Sequence, residues 1–239
     1  MFVSGLATNQ DVNIHYLDTL READHRLTPI VICPGLSEAA EEYEDLLSYL
    51  LPRRAIVLSF RGRGRSDTPR AKYDLEDHVS DLSAVIQETA IGSFHLFGNS
   101  RGVSYALGYA QKNAKQIKSL IVEDYPAEHK QMTAEWADDY INQYLIPTGR
   151  NKLIRQQAVK GIQRDSTPIK LDGKLELPAL VIRGLLEGSL LSEADVLQYG
   201  DMFTTVKVEA FADSGHNIRN MERDKLYLTI KQFLDEQEG

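Results

Sequence analysis

Short apolar runs recur along this chain and alternate with longer segments whose apolar residues return every three or four positions. Runs at 30–33, 55–60, 94–97, 119–123 and 179–183 are apolar on both sides, so each reads as a strand that must be covered on both faces. Between them lie amphipathic stretches: 37–50 with Tyr43, Leu46, Leu47 and Leu50 on one stripe, 74–88 with Val79, Leu82, Val85 and Ile86, and a segment after Ser100 with Val103, Ala106, Leu107 and Ala110. A last one, 222–236, turns Leu226, Ile230, Phe233 and Leu234 inward. Strands without a polar face and helices with one apolar stripe satisfy each other in an α/β fold with a mostly parallel central sheet flanked by helices. Ligands of such sheets bind at the carboxyl ends of the strands. Val12, Ile14 and Tyr16 alternate with polar neighbours after a turn at 9–11, which adds paired strands at the start, and 206–210 reads as an edge strand.

One stretch breaks the rhythm. From 126 to 178 no strand is evident, only two expected helices at 133–146 and 150–163, the first carrying Trp136, Tyr140 and Tyr144. The reading is a core in two parts, 1–125 and 179–239, with a small helical lid of residues 126–178 over the mouth of the site.

Charge and composition narrow the partners. Asp and Glu outnumber Lys and Arg by 35 to 27, a formal charge of −8, which disfavours a nucleic-acid partner. The opening MFVSGLATNQDVNIHY has neither a basic region nor a long apolar one, and no membrane-spanning run occurs, so a cytoplasmic protein that does not engage membranes is expected. The single cysteine, Cys33, sits inside an apolar run and reads as core. His, Cys, Asp and Glu do not cluster at ligand spacing, and no phosphate-cradling loop is present. A small-molecule substrate with no metal or cofactor is the expectation.

The chemistry concentrates where the strand at 94–97 turns into a helix through Gly98-Asn99-Ser100-Arg101-Gly102. A serine hydroxyl is a poor nucleophile unless a base takes its proton. A sharp strand-to-helix turn holds that oxygen exposed above the sheet, glycines on either side relieve crowding, and the new helix brings N–H groups to a developing oxyanion. Of six histidines, His216 alone follows a strand and precedes the final helix, at the required edge. The acid that would orient it has two candidate sources: Glu187 in the loop after 179–183, and Glu123 with Asp124 where the strand at 119–123 ends. Serine, acid and histidine in that order, each after its own strand, is the order of one particular fold.

On these residues the chain resembles the α/β-hydrolase fold superfamily along nearly its whole length. Gly98 to Gly102 resembles the nucleophile elbow, and Cys33-Pro34-Gly35-Leu36 falls where members carry His-Gly and an oxyanion residue. The run from Ser59 to Asp67 is similar to the Asp-x-Arg-Gly-x-Gly-x-Ser loop, Gly184 to Glu187 to Gly-x-x-Asp, and Gly215-His216 to the terminal Gly-His. Pro34, Ser59 and Val103 depart from the pattern. The resemblance implies Ser100 as nucleophile, His216 as general base, Glu187 as the orienting acid with Asp124 as alternative, and an oxyanion hole from the amides of Leu36 and Arg101. The Arg101 side chain is expected to pair with a lid acid or to attract a substrate carboxylate. The implied activity is cofactor-free hydrolysis of a small ester or related acyl compound through an acyl-enzyme. Carbon-carbon bond hydrolysis or lysis of an acidic substrate held by Arg101 with Arg150 or Arg155, and a non-catalytic receptor, are the alternatives.

Overall fold

The computed structural model describes residues 2–238. Strands β1 (Val3–Asn9) and β2 (Val12–Asp18) form the opening hairpin, followed by β3 (Ile30–Cys33), β4 (Ala55–Leu58), β5 (Phe94–Asn99) and β6 (Ile117–Glu123). Two short strands, β7 (Glu128–His129) and β8 (Ile169–Lys170), precede β9 (Leu175–Gly184) and β10 (Phe203–Phe211). The helices are α1 (Glu44–Tyr49), α2 (Leu75–Glu88), α3 (Gly102–Asn113), α4 (Trp136–Asp139), α5 (Gln156–Asp165), α6 (Glu193–Met202), α7 (Ile218–Met221) and α8 (Arg223–Glu236).

The eight-stranded sheet runs β1-β2-β4-β3-β5-β6-β9-β10, parallel from β4 onward, with the β1–β2 hairpin antiparallel at one edge and β10 at the other. Alternate side chains of the central strands serve different layers. Phe94 and Leu96 pack with Leu82, Val103 and Leu107 from α2 and α3, while Phe97 and Ile121 pack with Leu46, Ile230 and Phe233 from α1 and α8. That two-sided burial is why these strands are built around apolar runs.

Three expectations change. The helix foreseen at 37–50 is regular only over Glu44–Tyr49, because the backbone before it is committed elsewhere: Ala39 is extended, and the Ala40 amide donates to Ser59 Oγ at 2.8 Å. Ser59, standing where the family pattern has aspartate, thus anchors the start of that segment. The stretch 126–178 is not purely helical. β7 and β8 pair antiparallel within it, β9 begins at Leu175, and the aromatic helix divides into α4 and a π-helical segment, Tyr140–Leu145. Finally, α6 lies where no helix was foreseen, although Ser192 and Asp195 cap each other at its start.

The excursion from β7 to β8 has its own small core, Ala137, Ile141, Leu145, Ile154, Ala158, Val159 and Ile162, closed against Tyr73 of the main body. No helix among the described residues is long and apolar enough to cross a membrane.

Candidate active site

Ser100 occupies the turn between β5 and α3 with φ of 51°, a left-handed conformation that costs a non-glycine residue energy and persists only where its surroundings enforce it. The enforcement is visible. Its amide donates to the Glu123 carbonyl at 2.9 Å, and a Cβ on Gly102 would lie 2.1 Å from the Cys33 carbonyl oxygen, so α3 enters against β3 with no room for a side chain. Thus the second glycine of the hinge is required by close backbone approach rather than by its own dihedral angles.

His216 comes from the loop after β10. Its Nε2 lies 2.9 Å from Ser100 Oγ and its Nδ1 2.9 Å from Asp124 Oδ2. A carboxylate can only accept, so Nδ1 carries the proton and Nε2 is the acceptor for the serine hydroxyl. Asp124 is fully buried at the end of β6, with φ of 46°. Its oxygens also receive Ser189 Oγ at 2.6 Å, the Leu190 amide at 2.9 Å and the Gly184 amide at 3.3 Å. Burial alone would raise its pKa, but the hydrogen bonds from His216, Ser189 and Leu190 outweigh it and hold the carboxyl below its ordinary value.

Glu187, the acid expected from the Gly-x-x-Asp resemblance, is not at the site; it is exposed in the loop after β9. The physical reason is how that loop meets the histidine loop. A Cβ on Gly184 would fall 2.1 Å from the Gly215 carbonyl oxygen, and one on Gly215 would fall 2.4 Å from the Glu187 carbonyl oxygen. Backbone, not carboxylate, is what residues 184–187 present to the loop carrying His216, and the carboxylate that touches His216 is Asp124, from the neighbouring strand end.

The loop opposite the serine is fixed from both sides. The Gly35 amide donates to Glu38 Oε2 at 2.7 Å, and the Leu36 carbonyl accepts from Arg63 Nε at 3.0 Å. The Leu36 and Arg101 amides are engaged by no acceptor among the described residues. Glu38 also receives Tyr43 Oη at 2.6 Å, Asn99 Nδ2 at 2.9 Å and, on Oε1, Arg219 Nη2 at 2.7 Å. Its pKa is lowered: burial opposes ionisation, and Arg219, Tyr43 and the Gly35 amide overcome it. Neither Glu38 nor Arg63 was singled out in the sequence, and no local pattern there marks a loop-fixing pair.

The Arg101 side chain meets no lid acid among the described residues. It is buried among uncharged acceptors: Nη2 donates to His129 Nε2 at 2.9 Å, Ser166 Oγ at 2.8 Å and the Lys130 carbonyl at 3.2 Å, and Nε to Tyr105 Oη at 3.2 Å. His129 stays neutral, its pKa pushed down to about 4 by burial and by Arg101. The arginine therefore ties the start of α3 to the residues around β7 and β8. Arg150 reaches the Ser37 carbonyl at 2.8 Å and Glu42 at 3.0 Å, whereas Arg155 reaches only the Ser66 carbonyl among its hydrogen bonds.

A cavity of about 560 Å³ opens above Ser100 and His216. Leu36, Ser37, Met132, Tyr140, Tyr144 and Leu190 form much of its wall, with Glu38, Asn99, Glu123 and Arg219 at another part. Tyr140 lies between Trp136 and Tyr144 in a stack with 5.2 Å centroid spacings and donates from Oη to Ser37 at 2.9 Å. The aromatics of the excursion thus both line the cavity and clasp the loop beside Leu36.

The family model described as alpha/beta hydrolase fold matches residues 28–156, and the chain belongs to that family. It is similar to 2-(acetamidomethylene)succinate hydrolase of Mesorhizobium japonicum, 21% identical over 84% of this chain and 86% of the relative. N-formylmaleamate deformylase of Pseudomonas putida is 28% identical over 41% of this chain and 37% of that one. Among solved structures, an esterase from Exiguobacterium antarcticum superposes with a TM-score of 0.80 at 21% identity, covering 98% of this chain and 100% of the other. The enol-lactonase from Burkholderia xenovorans LB400 gives 0.77 at 18% identity over 97% and 100%.

Proposed function

We propose that the protein is a serine hydrolase that cleaves a small ester, or a related acyl compound, through an acyl-enzyme. The observation that carries this reading is the continuous line Ser100 Oγ, His216 Nε2, His216 Nδ1, Asp124 Oδ2, with both links at 2.9 Å. As Ser100 Oγ attacks the acyl carbon, His216 Nε2 takes its proton, and Asp124 stabilises the imidazolium that forms. The oxyanion develops between the Leu36 and Arg101 amides, held in place by the loop contacts of Glu38 and Arg63. His216 then gives the proton to the departing alkoxide and the alcohol leaves. Water, deprotonated by the same nitrogen, attacks the ester carbon of acyl-Ser100; the carboxylic acid departs and the proton returns to Ser100.

A second reading keeps these groups and changes the substrate to an acidic acyl compound. Lys130 and Arg150 on the cavity wall favour it, as do the names of the two relatives. Hydrolysis of p-nitrophenyl butanoate and of an N-acyl amino diacid, followed from the moment of mixing into the steady state, separates the two. The first reading expects burst kinetics with the ester, abolished in Ser100→Ala; turnover confined to the diacid would replace it with the second, and equal turnover by Ser100→Ala would end both.

A further inference from the structure

Next to Ser100 lie two glutamates in opposite circumstances. The β5–β6 register sets Glu123 directly across from Asn99, one residue from the serine, on the sheet face that also carries Glu38, Tyr43 and Arg219. Glu38 is saturated by four donors. The Glu123 carboxyl, only 3% exposed and lining the cavity, makes no hydrogen bond and no ion pair among the described residues. Arg219, on the same wall, spends Nη2 on Glu38 and lies over the Tyr43 ring at 4.1 Å, while its buried Nη1 has no partner. Buried polar groups are nearly always paired, and an unpaired one facing a cavity asks for a ligand.

The charge count decides which ligand. One guanidinium serves two carboxyls, and its hydrogen bond goes to Glu38, leaving an ion pair of zero net charge. Burial, together with the nearby Glu38 and Asp124 carboxylates, works against ionising Glu123, and Arg219 compensates only partly, so its pKa is pushed up to about 8. Glu123 is then a carboxylic acid at neutral pH, offering one O–H donor and one carbonyl acceptor. An uncharged group that both accepts and donates is complementary. A carboxylate lacks the donor and faces Glu38 and Asp124; an ammonium offers no acceptor to the Glu123 O–H.

We propose that Glu123 is a specificity determinant that binds an uncharged hydrogen-bonding group, a carboxamide or hydroxyl, on the substrate. This inference rests on the serine-hydrolase reading for its kinetic test and is independent of it for its binding test.

The kinetic test uses two matched ester series, acyl-varied p-nitrophenyl esters and alcohol-varied butanoates, ending in methyl, carboxamide, carboxylate or ammonium. In one series the wild-type enzyme should prefer carboxamide over methyl by roughly 10- to 100-fold in kcat/KM. Glu123→Leu should erase the preference and Glu123→Gln, which keeps a donor and an acceptor, should retain it. In the wild type the preference should weaken above a pH of about 8. The binding test uses Ser100→Ala, whose melting temperature should rise more with hexanamide than with hexanoate or hexylamine, and should not do so when Glu123→Leu is added. Loss of hydrolysis of every ester would remove the functional reading while the binding test still judges the subsite. A carboxylate or ammonium preference, equal use of methyl and carboxamide in both series, or a carboxamide preference that survives Glu123→Leu overturns the proposal. Should Glu123→Leu fail to fold, the wild-type selectivity and its pH dependence decide alone.

Discussion

Two neighbouring strands, β6 and β9, end at the same edge of the sheet, and each runs into a loop that carries an acid. At the end of β6 the chain makes a left-handed turn at Asp124, whose carboxylate draws in two backbone amides, a serine hydroxyl and the His216 imidazole. At the end of β9 the acid, Glu187, is exposed, and the loop's contribution to the histidine is the closeness of its backbone to Gly215. On the proposed serine-hydrolase reading, position at the productive edge therefore does not choose an orienting acid. What chooses it is whether the turn buries the carboxylate and supplies donors that keep it ionised there.

The sharpest break of this comparison is Asp124→Asn, which leaves packing in place but removes the charge that orients and stabilises His216. It should lower kcat for a good ester by about 10³- to 10⁴-fold with little change in the folded circular-dichroism spectrum. Next comes the backbone role of the β9 end. Gly184→Ala forces a Cβ within 2.1 Å of the Gly215 carbonyl, and it should cost about 1–3 kcal/mol in denaturant unfolding as the loops separate.

A smaller effect extends the contrast to the adjacent residue. Asp124 is held ionised, whereas Glu123, one position earlier, is held protonated. An unfolded glutamate loses its proton near 4.5 and the folded Glu123 keeps it to about 8, so between those values the folded state binds more protons and stability falls as pH rises. Glu123→Gln removes that term. The loss of stability between pH 5 and pH 8, from urea curves, should shrink by about 1–3 kcal/mol. Smallest of all, Glu187→Gln should leave kcat/KM within about a factor of two, because an exposed side chain away from the reacting atoms is exchanged for its amide.

Much of this was legible in the sequence. The alternation of two-sided strands and one-sided helices points to the parallel sheet, since burial on both faces favours apolar runs. The serine between glycines and the histidine before the last helix mark two loops that the structure brings together, because both features are local. Both candidate acids were legible, Glu187 and Asp124, but not the choice between them. Gly184 to Glu187 does carry a real signal, but of backbone contact with Gly215, and a short motif does not distinguish a glycine kept for close approach from an acid kept for chemistry. The lid acid expected for Arg101 was not to be had from local sequence either: its partners, His129, Lys130 and Ser166, are uncharged acceptors far along the chain. Glu38 and Glu123 differ only in which neighbours the fold hands them.

The central claim is that His216 activates Ser100. Its most direct test is the site and rate of covalent labelling by a fluorophosphonate, read by mass spectrometry of the digested protein for wild type, His216→Ala and Glu187→Gln. The account predicts a single adduct on Ser100, formed at the wild-type rate in Glu187→Gln and at least about 100-fold more slowly in His216→Ala. An adduct on another residue, or undiminished labelling without His216, would contradict it.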